Sequence, residues 1–174
     1  MRADPSPTLL MLAGMPGTGK STLAAALHAA LRWPVLDKDV ANAALLAAQL
    51  AQSSAAPLAY EVTFAFARAL VVEQRQSIIL DTAGRQPFIL TRATQMTQEA
   101  QGQLVVVQLV APLSVRQSRL SQRSAGPSQW QHDSTPPEQE RAWYAHLPSD
   151  RLVLDATQPV HALVAQVCTA LQGS

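Results

Sequence analysis

The residues best placed to do chemistry form one stretch: Gly14, Met15, Pro16, Gly17, Thr18, Gly19, Lys20, Ser21 and Thr22. It matches G-x-x-x-x-G-K-S/T without a mismatch. The glycines have no side chains to block phosphate oxygens. Backbone N–H groups and the positive end of the following helix then point at one anion. Lys20 brings a mobile charge to the β- and γ-phosphates, and Ser21 brings a hydroxyl to Mg²⁺. The whole stretch therefore reads as the contact surface for a nucleoside triphosphate. With glycine at about 7% of average usage, the fixed positions match by chance in roughly one chain in a hundred of this length.

Other side chains extend that chemistry. Asp39 stands nineteen residues after Lys20. A carboxylate there orients an acceptor hydroxyl and takes its proton during in-line transfer. The competing reading is a helix cap, since Asp is favoured at that position. Asp37 is the rival base, with Lys38 between them. Asp81 ends an apolar run and suits water-mediated support of Mg²⁺; its alternative is a turn aspartate. Arg85 is a candidate for a substrate oxygen or an ordinary surface arginine. Arg116, Arg119 and Arg123 follow i, i+3, i+7 spacing, so they share one helix face. A triphosphate would relieve their repulsion, with Arg119 free to stack on the base. The alternative is a solvated face paired with Glu138 or Glu140. Trp143 and Tyr144 either line an acceptor pocket or pack beneath a lid, as does Trp130. The four histidines show no metal-ligand spacing.

These residues need elements to hold them. Thr8 to Ala13 reads as a strand before the loop, and Lys20 to Arg32 as the helix after it. Trp33-Pro34 ends that helix. Val35-Leu36 is a short strand, Ala41 to Gln52 a helix, and Ser53 to Pro57 a loop. Leu58 to Arg75 is a long helix by its apolar spacing. Ser77 to Asp81 is a strand, Gln86 to Gln101 a helix, and Leu104 to Val110 a central strand. A helix over Pro112 to Arg123 precedes a polar loop, Ser124 to Pro137. Glu138 to His146, Arg151 to Asp155 and Pro159 to Gln172 complete the chain as helix, strand and helix. Strands alternating with helices predict a three-layer α/β fold with a five-stranded parallel sheet. Ligands then bind beyond the carboxyl ends of the strands, where Gly14, Asp39, Asp81 and Asp155 all fall.

The 174 residues suit a single domain, with a lid over about 116–146. Hydrophobic residues make up 48% and charged ones 14%, which excludes a disordered chain. A net charge of +1 disfavours a large nucleic-acid surface. No apolar run is expected to span a membrane, no targeting peptide precedes the first strand, and the expected location is the cytosol. The single Cys168 excludes an internal disulfide and fits a core thiol.

Taken together, the loop, Leu36-Asp37-Lys38-Asp39, Ile78-Ile79-Leu80-Asp81 and Arg119-Leu120-Ser121-Gln122-Arg123 resemble the small P-loop kinases of the AAA_33-like group. That group includes chloramphenicol phosphotransferase and phage-type polynucleotide kinase domains, and more distantly gluconate, shikimate and adenylate kinases and zeta toxins. The resemblance runs from about Leu9 to Leu171. It implies sheet order 2-3-1-4-5, ATP or GTP as donor with Mg²⁺, and Asp39 as acceptor-side base. It further implies Arg119 near the base, Arg123 at the transferred phosphate, and Thr157, with Asp155 and Ala156, at the base-binding edge. Many relatives carry arginine or lysine about three residues beyond the aspartate, where this chain has Asn42 and Ala43. A neutral hydroxyl on an antibiotic- or metabolite-type molecule is therefore the expected acceptor. A polynucleotide 5′-hydroxyl is the alternative substrate. A regulatory or toxin-type module with slow hydrolysis is the alternative class.

Overall fold

The computed structural model describes residues 6–122 and 133–173. Five parallel strands form one sheet in the order β2-β3-β1-β4-β5, as the resemblance implies. They are β1 (Thr8–Gly14), β2 (Val35–Asp37), β3 (Ile78–Asp81), β4 (Gln103–Val110) and β5 (Leu152–Asp155). The helices are α1 (Lys20–Leu31), α2 (Lys38–Ala47), α3 (Gln52–Arg68), α4 (Pro87–Glu99), α5 (Leu113–Ser121), α6 (Pro137–Trp143) and α7 (Val160–Gln172). This is the three-layer P-loop NTPase fold.

Strand β1 is buried along its whole length because helices cover both faces. Its side chains alternate between two cores. Leu9, Met11 and Ala13 join Ile78, Leu80, Phe64, Ile89 and Met96 on the α3–α4 side. Leu10 and Leu12 join Ile79, Leu23, Leu27, Leu163 and Val167 on the α1–α7 side. The parallel register sets Asp37 beside Asp81 and Leu12 beside Asp81. Two carboxylates and the phosphate loop thus meet at one end of the sheet.

Several local expectations differ from the structure. Helix α1 ends at Leu31, ahead of Trp33-Pro34, because Arg32 turns left-handed at φ 60° and returns its N–H to the His28 carbonyl. Ser53 to Pro57 is the start of α3, not a loop. Pro57 lies near the helix start on an exposed face, while buried Ala55 and Ala59 hold that turn in place. The long helix then widens at its end, with Ala69–Glu73 forming a π-helical turn. Together Gln52–Glu73 is 22 residues long and apolar enough to cross a bilayer by length and composition, contrary to the expectation that no run approaches that length. Here it supplies Phe64, Ala67 and Val71 to the core, and its Glu61 pairs with Arg92 of α4.

Candidate active site

The phosphate loop is shaped by its neighbours as much as by its own sequence. At Gly17, φ is 80°, and a Cβ there would lie 2.7 Å from the Arg116 carbonyl oxygen. Both the dihedral and the crowding demand glycine. Thr18 is buried and its hydroxyl donates to the Met15 carbonyl at 2.8 Å, closing the turn. Gly19 caps α1, so the helix's unpaired N–H groups open into the loop. Lys20 Nζ folds back onto the carbonyls of Gly14 at 2.9 Å and Met15 at 3.1 Å. Those weak neutral partners are exchangeable for a phosphate, which pairs with an ammonium far more strongly.

A cavity of about 510 Å³ lies against this loop. Its walls include Gly17, Gly19, Lys20, Ser21 and Thr22. Asp37, Lys38, Asp39, Asp81 and Arg85 line it as well. The two aspartates of β2–α2 divide their labour. Asp37 is the cap of α2 and accepts the Asp39 N–H at 2.7 Å. Burial, and then the nearby Asp39 charge, push the Asp37 carboxyl up, against the pull of that hydrogen bond. Asp39 lies in the first turn, ion-paired with Lys38 at the cavity wall. The cap expected as the alternative for Asp39 is thus Asp37. Lys38 also sits 5.5 Å from the Tyr60 ring centre.

Arg85 reaches the same cavity from the β3–α4 loop and stacks on Trp143 of α6 at 4.5 Å. Tyr144, 2% exposed, both packs in the core and lines the cavity, and its hydroxyl donates to the Ala83 carbonyl. Gly84, at φ 65°, lets this loop pass Ala13, whose Cβ would lie 2.5 Å from any added one.

A second cavity, about 380 Å³, opens on the far side of the loop. Arg119 forms one wall, donating to the Ala156 carbonyl at 2.8 Å and spanning to the Gly17 and Thr18 carbonyls at 3.4 Å. Leu23, Leu120, Val160 and Leu163 give it an apolar lining suited to a flat base. Gln158 lines it too and escaped the sequence reading, because glutamine just before a helix carries no motif signal. Thr157 does not line it. Its N–H and hydroxyl both bond Asp155 Oδ1, at 2.9 and 2.7 Å, which lowers the Asp155 carboxyl. The backbone around Thr157, rather than its side chain, shapes this edge.

The arginine face divides. Arg116 is 1% exposed, with its guanidinium paired to Asp133 at 2.9 Å and to Glu140. Glu140 is one of the two partners that the alternative reading named, but the ion triad is buried where that reading expected a solvated face. Arg123, Trp130 and the rest of 123–132 lie outside the described residues.

A family model described as AAA domain, AAA_33, matches residues 9–147. The chain belongs to this family. In this AAA_33 protein the matched region holds the loop, both acidic strand ends and Arg119. Among curated proteins no sequence match is found. Solved structures share the fold. A provisionally assigned kinase from Chloroflexus aurantiacus is 22% identical at a TM-score of 0.75, covering 98% of this chain and 99% of its own. The APS kinase of Mycobacterium tuberculosis, solved with AMPPNP and APS, is 16% identical at 0.64, covering 97% and 99%. A gluconokinase from Sinorhizobium meliloti is 18% identical at 0.56, covering 97% and 98%.

The donor set at the loop of the AAA_33 chain suits Mg²⁺. The Ser21 hydroxyl donates to Asp81, so two hard oxygen donors converge beside Lys20. Among the described residues no group of three or more His, Cys, Asp or Glu side chains forms a metal cage. Few protein ligands, with the remainder water and phosphate, is the usual Mg²⁺ arrangement. Burial pushes the Asp81 carboxyl up to about 6, against the Ser21 hydrogen bond and the Lys20 charge. The ordinary value is 3.8, so the folded state holds this proton more tightly than the unfolded chain. That contribution to stability is complete below pH 3.8 and is lost as pH rises through about 6. It amounts to ~3 kcal/mol at most. Asp81→Asn is expected to flatten this slope and to stabilise the metal-free protein at pH 7 by about 1–3 kcal/mol. Urea unfolding at several pH values checks it, and an unchanged slope in the variant would refute the assignment.

Proposed function

We propose that this protein is a nucleoside-triphosphate-dependent phosphotransferase acting on a hydroxyl of a small molecule. The observation that carries the proposal is the shared cavity. The phosphate loop, Asp39 and Arg85 all line it. The family and the kinases among the solved relatives support the same reading. The whole chain acts as one catalytic domain with ATP or GTP as donor.

Each residue has a task in this scheme. Loop N–H groups and the N-terminus of α1 hold the β- and γ-phosphates. Lys20 leaves its carbonyl partners and neutralises charge that builds on the transferred group. Ser21 and Asp81 would hold Mg²⁺, which would supply charge neutralisation to the bound nucleotide. Arg119 and the apolar lining opposite hold the base. Arg85 fixes a substrate oxygen. Asp39 orients the acceptor hydroxyl and accepts its proton as the new O–P bond forms and the bond to the β-phosphate oxygen breaks. Asp37, already committed as a cap, serves by fixing Asp39.

Two variants separate these tasks. Asp39→Asn is expected to lower kcat by about 10²–10⁴-fold, while the thermal shift given by nucleotide stays as in the parent protein. Asp37→Ala is expected to cost about 1 kcal/mol of stability as a lost cap. If Asp39→Asn transfers phosphate at the parent rate, Asp39 is not the base.

A further inference from the structure

Tyr144 closes α6, and its ring joins the core cluster that holds Met11, Ala13 and Met15. For that packing a ring alone is enough. Phenylalanine fills the same space and brings no polar atom to satisfy. The hydroxyl has other partners. Burial pushes its pKa up, so it stays protonated and is a donor at neutral pH. It donates to the Ala83 carbonyl at 3.1 Å. The Gly14 N–H donates to the same carbonyl at 3.1 Å and also reaches the Tyr144 oxygen. One peptide oxygen therefore joins α6, the β3–α4 loop and the first residue of the phosphate loop.

Gly14 sets how the chain leaves β1. Its φ is 146°, and a Cβ there would lie 2.6 Å from the Leu109 carbonyl oxygen and 3.1 Å from the Thr18 hydroxyl. In so tight a passage, a tilt of this peptide re-aims the N–H groups that follow it. The Gly14 carbonyl also holds Lys20 Nζ at 2.9 Å. The Thr82 hydroxyl donates to the Leu12 carbonyl at 3.2 Å, so the β3–α4 loop is fastened to β1. Tyr144 adds α6 to that unit. Glu140, one helical turn earlier, pairs with Arg116 of α5, whose carbonyl oxygen faces Gly17. Helices α5 and α6 thus meet the phosphate loop at Gly17 and, through Ala83, at Gly14.

Resting on the reading of this loop as the nucleotide site, we propose that Tyr144 is a positioning residue for nucleotide binding. Its hydroxyl acts through Ala83 and Gly14 to hold the phosphate loop in the shape that accepts phosphate. A loop held in that shape loses less conformational freedom when the phosphates arrive, so binding is tighter.

The test compares the full chain with Tyr144→Phe and with Leu147→Ala. Leu147 lies in the same core cluster, three residues beyond Tyr144, and brings no hydroxyl to Ala83. Melting temperatures are measured without ligand, and Kd is measured by titration calorimetry for ATP and for GTP with Mg²⁺. Tyr144→Phe is expected to melt within about 4 °C of the parent, because the Ala83 carbonyl keeps the Gly14 N–H. Its Kd for the tighter of the two nucleotides is expected to rise about fivefold, the scale of one hydrogen bond. Leu147→Ala is expected to melt well below both and to keep the parent's Kd. An unchanged Kd in Tyr144→Phe overturns the inference while the nucleotide site stands. An equal rise in Leu147→Ala does the same, since it marks a general softening of the core, as does a melting temperature of Tyr144→Phe below that of Leu147→Ala. Binding of neither nucleotide by the parent overturns the inference and the phosphotransferase reading together.

Discussion

Lys20→Ala is expected to lower phosphoryl transfer by roughly 10³-fold or more, the scale on which a cation at the transferred phosphate acts. The reason lies in how the side chain is held. Its ammonium rests on the carbonyls of Gly14 and Met15, at the mouth of the loop and on the wall of the acceptor cavity. No other described lysine has this position: Lys38 is engaged with Asp39. Lys20→Arg is expected to restore little, because a planar guanidinium does not replace a compact point charge within a loop built around it. The same ammonium offsets the burial of Asp81, so its loss raises that carboxyl further and weakens the hold on Mg²⁺. Nucleotide consumption with acceptor present, alongside nucleotide-induced thermal shift, measures both effects. A loss below tenfold would show that the loop does not carry the transferred phosphate.

Arg116→Ala has the largest expected effect on stability, a loss of about 3–5 kcal/mol. The Asp133 side chain is 0% exposed and that of Glu140 16%, so removing the guanidinium strands two acids away from water. A buried ion pair is weak evidence of net stabilisation, yet breaking one is costly, and the prediction concerns the breaking. The triad ties α5 to α6 across the residues between them, and Gln117 adds a bond to the Asp133 carbonyl at 3.0 Å. The Arg116 backbone also presses on Gly17. Loosening α5 therefore loosens the phosphate loop, and nucleotide affinity is expected to fall with stability. Urea unfolding at neutral pH checks the first effect. A cost below about 1 kcal/mol would mean that water reaches the triad.

What the sequence made legible follows from how local each signal is. The phosphate loop is contiguous, so its pattern, flanking strand and helix were readable directly. The alternation of apolar runs gave the α/β layers, while the sheet order came from the family resemblance, not from periodicity. That Asp37 rather than Asp39 caps α2 rests on one hydrogen bond to a backbone N–H, which residue types alone do not show. Arg116 read as one of three similar arginines with Glu138 or Glu140 as candidate partners; that Glu140 and also Asp133, 24 and 17 residues further on, bury it is not carried by spacing along one helix. Pro57 read as a breaker because the tertiary packing of Ala55 and Ala59 is invisible in propensity.

The central claim is transfer of a phosphoryl group to a hydroxyl, and its most direct measurement is the fate of the γ-phosphate. Labelled ATP and GTP with Mg²⁺ are incubated with the full chain and a broad panel of hydroxyl compounds, and the products are resolved by phosphorus NMR. The account predicts a phosphomonoester formed in equal amount to nucleoside diphosphate, and its loss in Asp39→Asn. Release of inorganic phosphate alone, at the same rate in Asp39→Asn, would contradict it and make the protein a hydrolase.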